Sequence, residues 1–108
     1  VMGDFNDGPQ AGEFEVLKKS LVNVAAPLAR KGEGSIRFNG KWSLIDMFWI
    51  TEELVPAAEM EVVHIPFLSV WDSKMSGYKP LRTYIGPNYV GGVSDHCPIV
   101  LKLRTGFP

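Results

Sequence analysis

The sequence predicts an α+β fold, an α/β layer in which a helix covers one face of a mixed, mostly antiparallel sheet. Three observations support this class: a segment with helical spacing near the N-terminus, an Asn-Gly pair between two strand-like runs, and a final run that alternates between apolar and charged residues. Since the chain has 108 residues and a hydrophobic fraction of 45%, residues 1–108 are expected to form a single unit around one core.

The N-terminal third is expected to contain a strand followed by a helix. Residues 1–5 predict a short strand, and the turn-forming residues 6–9 end it. A helix is expected over about 11–21, because apolar residues recur there with the spacing of one helical face, and Pro27 stops any continuation. The residues expected on the inner face are Phe14, Leu17 and Leu21.

The remaining elements are expected to be strands. Asn39 and Gly40 predict a type I′ hairpin turn, and the arm after it, 42–50, is apolar on both alternating sets, as is typical of a strand covered on both faces. Further strands are expected at about 60–68 and 98–104, with a long loop marked by Gly and Pro between them. In the last strand the expected inward residues are Ile99, Leu101 and Leu103, and the expected outward residues are Lys102 and Arg104.

Charge and composition narrow the classes of partner. The net charge is −1, from 11 basic and 12 acidic residues, so no overall field attracts a polyanion, and Lys74, Lys79 and Arg82 form only a modest cluster. No stretch approaches the roughly 20 apolar residues of a membrane-spanning helix. Cys97 is the single cysteine and cannot form an internal disulfide, and His64 has no acidic neighbour at useful spacing and is expected to be structural or exposed.

Asp46 lies inside the apolar run 42–50, where a carboxylate is costly unless it is paired or hydrogen-bonded. One interpretation is a carboxylate that caps a nearby backbone turn. The other is a carboxylate that accepts a hydrogen bond from one ring nitrogen of a histidine, which fixes the tautomer and leaves the other nitrogen for chemistry. The residues alone leave both interpretations open.

Asp4 and Asn6 lie two residues apart at the end of the first predicted strand, so in extended backbone both side chains can point to the same side. They can form an Asx turn that ends the strand. Alternatively, the carboxylate activates water or holds a hard cation while the amide contacts a phosphate oxygen.

Asp95 and His96 follow two glycines and directly precede the last strand. A polar turn that leads into a strand at Pro98 would explain them. The functional interpretation is an acid and an imidazole that belong to a site, with side chains directed to opposite sides because they are adjacent in the chain.

The segments GDFN (3–6), IDMF (45–48) and SDHCP (94–98) occur in this order. With them, the chain resembles the C-terminal half of the endonuclease/exonuclease/phosphatase superfamily, whose members include deoxyribonuclease I, apurinic endonucleases, inositol polyphosphate 5-phosphatases and neutral sphingomyelinases. FNGKWSLIDMFWI and PLRTYIGPNYVGGVSDHCPIVLKL look most like bacterial members. The resemblance implies that the chain forms one half of a four-layer α/β/β/α sandwich.

The resemblance also implies roles for individual residues. Asp4 would position or deprotonate the attacking water, and Asn6 would contact the scissile phosphate. Asp46 would pair with His96, and His96 would act at the phosphate as a general base or as a cation. A Mg²⁺ or Mn²⁺ ion would be held by Asp4, Asn6 and Asp95.

The implied function is that of a C-terminal fragment of a divalent-metal-dependent phosphoesterase that hydrolyses a phosphomonoester or phosphodiester with an activated water. The substrate stays open between a nucleic acid, a phosphorylated sugar and a lipid head group, and secreted and periplasmic locations both stay open. Because the N-terminal half supplies further metal ligands in this family, the isolated chain is expected to lack meaningful activity.

Two further expectations concern partners. The sheet face that would pack on the missing N-terminal half is apolar, so the isolated chain is expected to form a homodimer through it. The alternative to an enzyme is a non-catalytic α/β binding or interaction module that retains the residues of these segments.

Overall fold

The computed structural model describes residues 1–105, and within them it has eleven strands and two short α-helices. Every strand pair in this range is antiparallel, and the predicted α+β class is confirmed. The helices are α1 (Glu15–Lys18) and α2 (Ala26–Arg30), and 3-10 turns lie at Gly12–Phe14, Glu52–Ala57 and Pro66–Leu68. The strands are β1 (Met2–Asp4), β2 (Val22–Asn23), β3 (Ile36–Phe38), β4 (Lys41–Ser43), β5 (Asp46–Ile50), β6 (Ala58–Val62), β7 (Ser69–Asp72), β8 (Gly77–Pro80), β9 (Tyr84–Ile85), β10 (Asn88–Tyr89) and β11 (Ile99–Leu103).

The strands form several small sheets where one continuous sheet was expected. The largest has three strands in the order β1-β5-β2, and the pairs β3-β4, β6-β11, β7-β8 and β9-β10 form the others. Strand β5 lies at the centre of the first sheet and is buried from Met47 to Ile50. From Met47 to Ile50 the prediction of a strand covered on both faces is confirmed, whereas Ser43 in the first part of the predicted arm is exposed.

The helical segment predicted over about 11–21 is present but shorter than expected. A 3-10 turn and the four-residue helix α1 occupy part of this range, and the chain then enters β2, where Val22 pairs with Ile50 of β5. Backbone pairing with a central strand ends the helix, an effect that local spacing does not report. The predicted inner face is nevertheless correct, since Phe14 is buried and Leu17 and Leu21 pack against the core.

Pro27 has a different role from the one expected. It lies in the first turn of α2, where a proline is tolerated because the amide hydrogen that it lacks would have no partner within the helix. It therefore belongs to the start of a second helix.

The hairpin turn at Asn39 and Gly40 is confirmed. Both residues have positive φ, 50° and 77°, as a type I′ turn requires, and Arg37 of β3 pairs with Trp42 of β4. The continuous strand predicted over 42–50 is wrong, because the ladder is interrupted between β4 and β5.

The region after β5 contains more strands than expected. The strand predicted at 60–68 is β6 followed by a 3-10 turn, and the predicted long loop holds the hairpins β7-β8 and β9-β10. The last strand pairs with β6, and Ile99 and Leu101 pack against the core as expected. Leu103, expected inward, is 45% exposed because it lies at the end of this two-stranded ladder, opposite Ala58.

The core lies between the β1-β5-β2 sheet, the N-terminal helices and the β6-β11 pair. No helix among residues 1–105 is long and apolar enough to cross a membrane. The buried cluster consists of Phe14, Ala25, Leu44, Met47, Phe48, Trp49, Met60, Val62 and Cys97.

Candidate active site

Two carboxylates face each other across the β1-β5 ladder. Asp4 is the last residue of β1 and Asp46 the first of β5, and the two are direct partners in the antiparallel register. Directly opposed side chains share one face of a sheet, and like charges in this position are destabilising. The pair therefore favours a cation, a proton or a basic group between the two carboxylates.

His96 reaches the Asp46 carboxylate from the segment that precedes β11. Its Nδ1 lies 2.6 Å from Oδ2 of Asp46, a short distance typical of a charge-assisted hydrogen bond. With Asp46 as acceptor, Nδ1 carries the hydrogen and donates it. The pairing of Asp46 with His96 that the resemblance implies is thus present in the structure, across fifty residues of sequence.

The other ring nitrogen of His96 faces two more carboxylates. Nε2 lies 3.9 Å from Oδ2 of Asp4 and 3.7 Å from Oδ1 of Asp95. Asp95 therefore lies near the ring of His96, and the two adjacent residues do not diverge as side chains of a regular strand would. The reason is that residues 93–98 lie outside the regular strand β11.

The two oxygens of the Asp4 carboxylate have different partners: one accepts from the backbone, and the other faces His96. Its Oδ1 accepts a hydrogen bond of 2.8 Å from the backbone N–H of Asn6, which has a positive φ of 58°. This is the Asx turn that was one of the two interpretations of the segment. Since Oδ2 is the oxygen that faces His96, the turn orients the carboxylate and leaves one oxygen free for the site.

Electrostatics at the site raise the pKa of His96. Partial burial of the ring alone would lower its pKa, because burial disfavours the imidazolium. The hydrogen bond to Asp46 and the negative charges of Asp46, Asp95 and Asp4 outweigh this effect, so the pKa of His96 lies above its ordinary value of 6.5. Three acids thus surround one imidazole.

The donor atoms of this cluster fit a divalent cation. Asp4, Asp46 and His96 each offer one ligand atom, and these atoms lie within 4.8 Å of one another, which no other such group of acids, histidines and cysteines in residues 1–105 achieves. Carboxylate oxygens suit hard ions such as Mg²⁺ and Mn²⁺, which keep several waters when only a few protein ligands are present. The set of Asp4, Asn6 and Asp95 implied by the resemblance stays a prediction, as do the roles of the individual residues.

Sequence reasoning missed Ser35, which lies beneath the site. It is completely buried, its Oγ accepts hydrogen bonds of 3.2 Å from the backbone N–H groups of Ile45 and Asp46, and its carbonyl accepts one from Cys97. Ser35 lies among glycines and charged residues, where no apolar periodicity marks a buried position. The feature that could have indicated close packing is the pair of small residues Gly34 and Ser35 directly before a strand.

Four basic residues line a pocket of about 240 Å³. Lys74, Lys79 and Arg82 lie in the region that was predicted to be a long loop, and Arg37 is a residue that the sequence had not singled out. Both terminal nitrogens of Arg37 donate to backbone carbonyls, at 3.0 and 3.1 Å, and Lys79 lies 3.8 Å from Asp72. Because two of its four cations are already engaged, this pocket remains a modest basic surface. Its other two cations are Lys74 and Arg82.

The remaining candidate groups have structural environments. Cys97 is buried, and burial, with a smaller effect from Asp46, raises the pKa of its thiol, which makes it a poor nucleophile. His64 is exposed and packs edge-to-face with Trp42 at 5.3 Å between ring centroids. This agrees with the expectation of a structural or exposed histidine.

Comparison with known proteins places the chain in a family. A model of the Endonuclease/Exonuclease/phosphatase family matches residues 1–105, a range that includes Asp4, Asp46, Asp95 and His96. No curated protein and no solved structure matches the chain. The family comprises hydrolases of the nuclease and phosphatase type that generally depend on a divalent metal, and the cluster of two aspartates and a histidine is consistent with that dependence. The chain belongs to the endonuclease/exonuclease/phosphatase family.

Proposed function

We propose that this chain is the C-terminal part of a divalent-metal-dependent phosphoesterase that hydrolyses a phosphomonoester or phosphodiester by attack of an activated water. The observation that carries the proposal is the 2.6 Å contact between His96 and Asp46, with Asp4 on the other side of the same imidazole. An acid that holds one ring nitrogen while the other faces an open site is the arrangement of a positioned acid–base group.

In this mechanism Asp46 keeps the hydrogen of His96 on Nδ1, so that Nε2 points toward the substrate. Nε2 then accepts the proton of the attacking water, or, when protonated, lies as a cation against the phosphoryl oxygens. Asp4 orients the water through Oδ2, the oxygen that the Asx turn leaves free. The amide of Asn6 donates to a phosphate oxygen.

A Mg²⁺ or Mn²⁺ ion would supply Lewis-acid stabilisation of the charge on the phosphoryl oxygens. Asp4 and Asp95, whose side chains are 50% and 49% exposed, offer oxygens on the open side of the site, and Asn6 is exposed beside them. Asp46 is only 15% exposed and already accepts from His96, so we assign it to the histidine.

We further propose that the isolated chain has no meaningful phosphodiesterase activity and that its partner is the N-terminal half of the same domain. The site is open on the side of Asp4 and Asp95, and all three residues of β1 are exposed. A second half packed on this side would exclude water and bring the further metal ligands that the family resemblance implies. The bond that is cleaved is a phosphoester bond, which a nucleic acid, a phosphorylated sugar and a lipid head group all carry.

The test is hydrolysis of p-nitrophenyl phosphate and bis-p-nitrophenyl phosphate by the complete domain in Mg²⁺ or Mn²⁺. His96→Gln and Asp46→Asn are expected to lower kcat by about 10²- to 10⁴-fold, the contribution of a positioned acid–base group. His64→Gln is the matched control, since this histidine is exposed and outside the site. Equal activity of His96→Gln and wild type would refute the proposal and favour a non-catalytic module.

A second experiment addresses the isolated chain. Turnover of bis-p-nitrophenyl phosphate is expected to stay at background in any divalent metal. A rate near that of the complete domain, abolished by His96→Gln, would show that these 108 residues suffice for catalysis.

A further inference from the structure

We propose that Ser35 is the positioning residue of this site: one buried serine sets the relative placement of Asp46 and His96, and so the geometry of their hydrogen bond. The inference rests on the proposed function for its catalytic meaning. It rests on the structure for its geometry, because Ser35 contacts the backbone on both sides of the pair.

The first contact fixes Asp46. Oγ of Ser35 accepts from the backbone N–H of Asp46 and of Ile45, both at 3.2 Å. Ile45 directly precedes β5, and Asp46 is the first residue of that strand. The side-chain hydroxyl thus takes two amide hydrogens at the point where the β3-β4 ladder ends, and it holds Asp46 at the first position of β5.

The second contact fixes His96. The backbone carbonyl of Ser35 accepts from the N–H of Cys97 at 2.6 Å, and the next residue, Ile36, forms an isolated antiparallel bridge with His96. At His96 and Cys97 the backbone partners are Ile36 and Ser35, and the next backbone contact of the segment is at Pro98, whose carbonyl accepts from the N–H of Val63 at 2.8 Å. The placement of the histidine itself therefore depends on the backbone at residues 35 and 36, while the contact with Val63 anchors the start of β11.

The local packing leaves Ser35 little freedom. Its side chain is completely buried, and its N–H donates to the carbonyl of Ser43 at 2.9 Å. The preceding residue, Gly34, approaches Ser43 so closely that a Cβ there would lie 2.6 Å from the Ser43 nitrogen. A rigid backbone at this point couples the two chain segments that carry the acid and the base.

Such coupling matters because a reacting group displaced by about 1 Å can lose about 10²-fold in rate. Ser35 itself touches no reacting atom in this proposal, and its effect acts through Asp46 and His96. Removing the Oγ acceptor leaves two amide hydrogens without a partner, which permits the start of β5 to move relative to the segment that holds His96.

The experiment compares Ser35→Ala and Ser35→Cys with the matched control Ser69→Ala. This control removes a hydroxyl at the first residue of β7, which donates to the carbonyl of Ile65 at 2.9 Å. Ser35→Cys keeps the shape of the side chain but offers only a weak acceptor. The readout at one fixed pH is the NMR signal of the His96 Nδ1 hydrogen, which a 2.6 Å bond to a carboxylate shifts strongly downfield.

The downfield signal of His96 is expected in wild type and in Ser69→Ala, and it is expected to move upfield or disappear in both Ser35 variants. A folded Ser35 variant with the wild-type His96 signal would overturn the proposal. Should neither variant fold, hydrogen exchange in wild type decides: slow exchange of the Ile45 and Asp46 amides supports the role of Oγ, and fast exchange refutes it. None of these readouts needs turnover, so an inactive complete domain would refute the proposed function and leave this result standing.

Discussion

Asp46 is unusual because it stands at the border of the core and still carries a charge. Its side chain is 15% exposed, and the four residues after it are buried. Burial of a carboxylate is costly without partners, and here the oxygen Oδ2 accepts from His96 while the Asp46 N–H donates to Ser35. The charge is therefore satisfied locally, and the interpretation that it orients a histidine is supported over a simple turn cap.

The stability of the protein is expected to depend on the protonation of His96. Its folded-state pKa is raised above 6.5, so the ion pair with Asp46 contributes fully below pH 6.5 and is lost as pH rises through the folded-state pKa. The free energy of unfolding, measured by urea denaturation, should therefore fall as pH rises across that window. In Asp46→Asn this fall should be smaller; an unchanged pH dependence in this variant would contradict the assignment of the pair.

Metal binding at the site is expected to compete with protonation of His96. A cation near Asp4 and Asp95 disfavours the imidazolium of His96, so the affinity for Mn²⁺ should increase as pH rises through the pKa of His96. Asp4→Asn should weaken binding by about tenfold or more in isothermal titration calorimetry, on the scale of losses at metal sites. Glu59→Gln is the control, because Glu59 is an exposed residue of β6 away from the site. This variant should bind Mn²⁺ as wild type does.

At the scale of elements, the break between β4 and β5 is what builds the site. A continuous strand over 42–50 would keep Ile45 and Asp46 in the β3-β4 ladder. Instead the ladder stops, the amides of both residues turn to Ser35, and β5 pairs with β1 so that Asp46 faces Asp4. Because of this interruption, Ile45 and Asp46 have no positions in the β3-β4 ladder, and Asp46 instead lies opposite Asp4 in the β1-β5 register.

Gly34→Ala tests this junction. A Cβ at residue 34 would lie 2.6 Å from the nitrogen and 2.9 Å from the oxygen of Ser43, which are backbone atoms that cannot move aside alone. We expect a loss of about 1–3 kcal/mol in the free energy of unfolding, the usual cost of overpacking. Gly12→Ala is the control, because a Cβ there meets nothing within 4 Å, and its effect should stay within about 0.5 kcal/mol.

At the scale of the whole molecule, an apolar groove runs beside the central sheet. Met2 of β1 is 74% exposed although it pairs with the buried Phe48, so one side of the sheet edge is bare. We expect this groove to be a contact surface, since exposed apolar patches on proteins often meet a partner. The groove is lined by Val1, Met2, Phe48, Trp49, Ile50, Ile99, Val100 and Leu101.

The isolated chain is accordingly expected to self-associate through this groove. Analytical ultracentrifugation at micromolar concentration should show a dimer, and Met2→Glu should shift it toward monomer because the substitution places a charge in the apolar contact. Phe67→Glu is the matched control, since Phe67 is 80% exposed but does not line the groove. A monomeric wild type would count against the dimer.

Features that depend on the chemistry of neighbouring residues could be predicted from the sequence. The Asn39-Gly40 turn, the apolar character of β5, the inner face of Phe14, Leu17 and Leu21, and the α+β class were all predicted, because positive φ, side-chain period and burial are properties of neighbouring residues. The pairing of Asp46 with His96 came from the family resemblance, since spacing cannot join residues fifty positions apart.

The other features come from contacts between distant parts of the chain. The shortened helix, the break before Asp46, the register of Asp4 against Asp46 and the contacts of Ser35 all depend on which backbone groups pair across long stretches of chain. The Asp46 amide can donate either to Ser35 or to a neighbouring strand, and the local sequence does not distinguish these two hydrogen bonds. The choice between them is made by the packing of the whole molecule, and with it the geometry of the site.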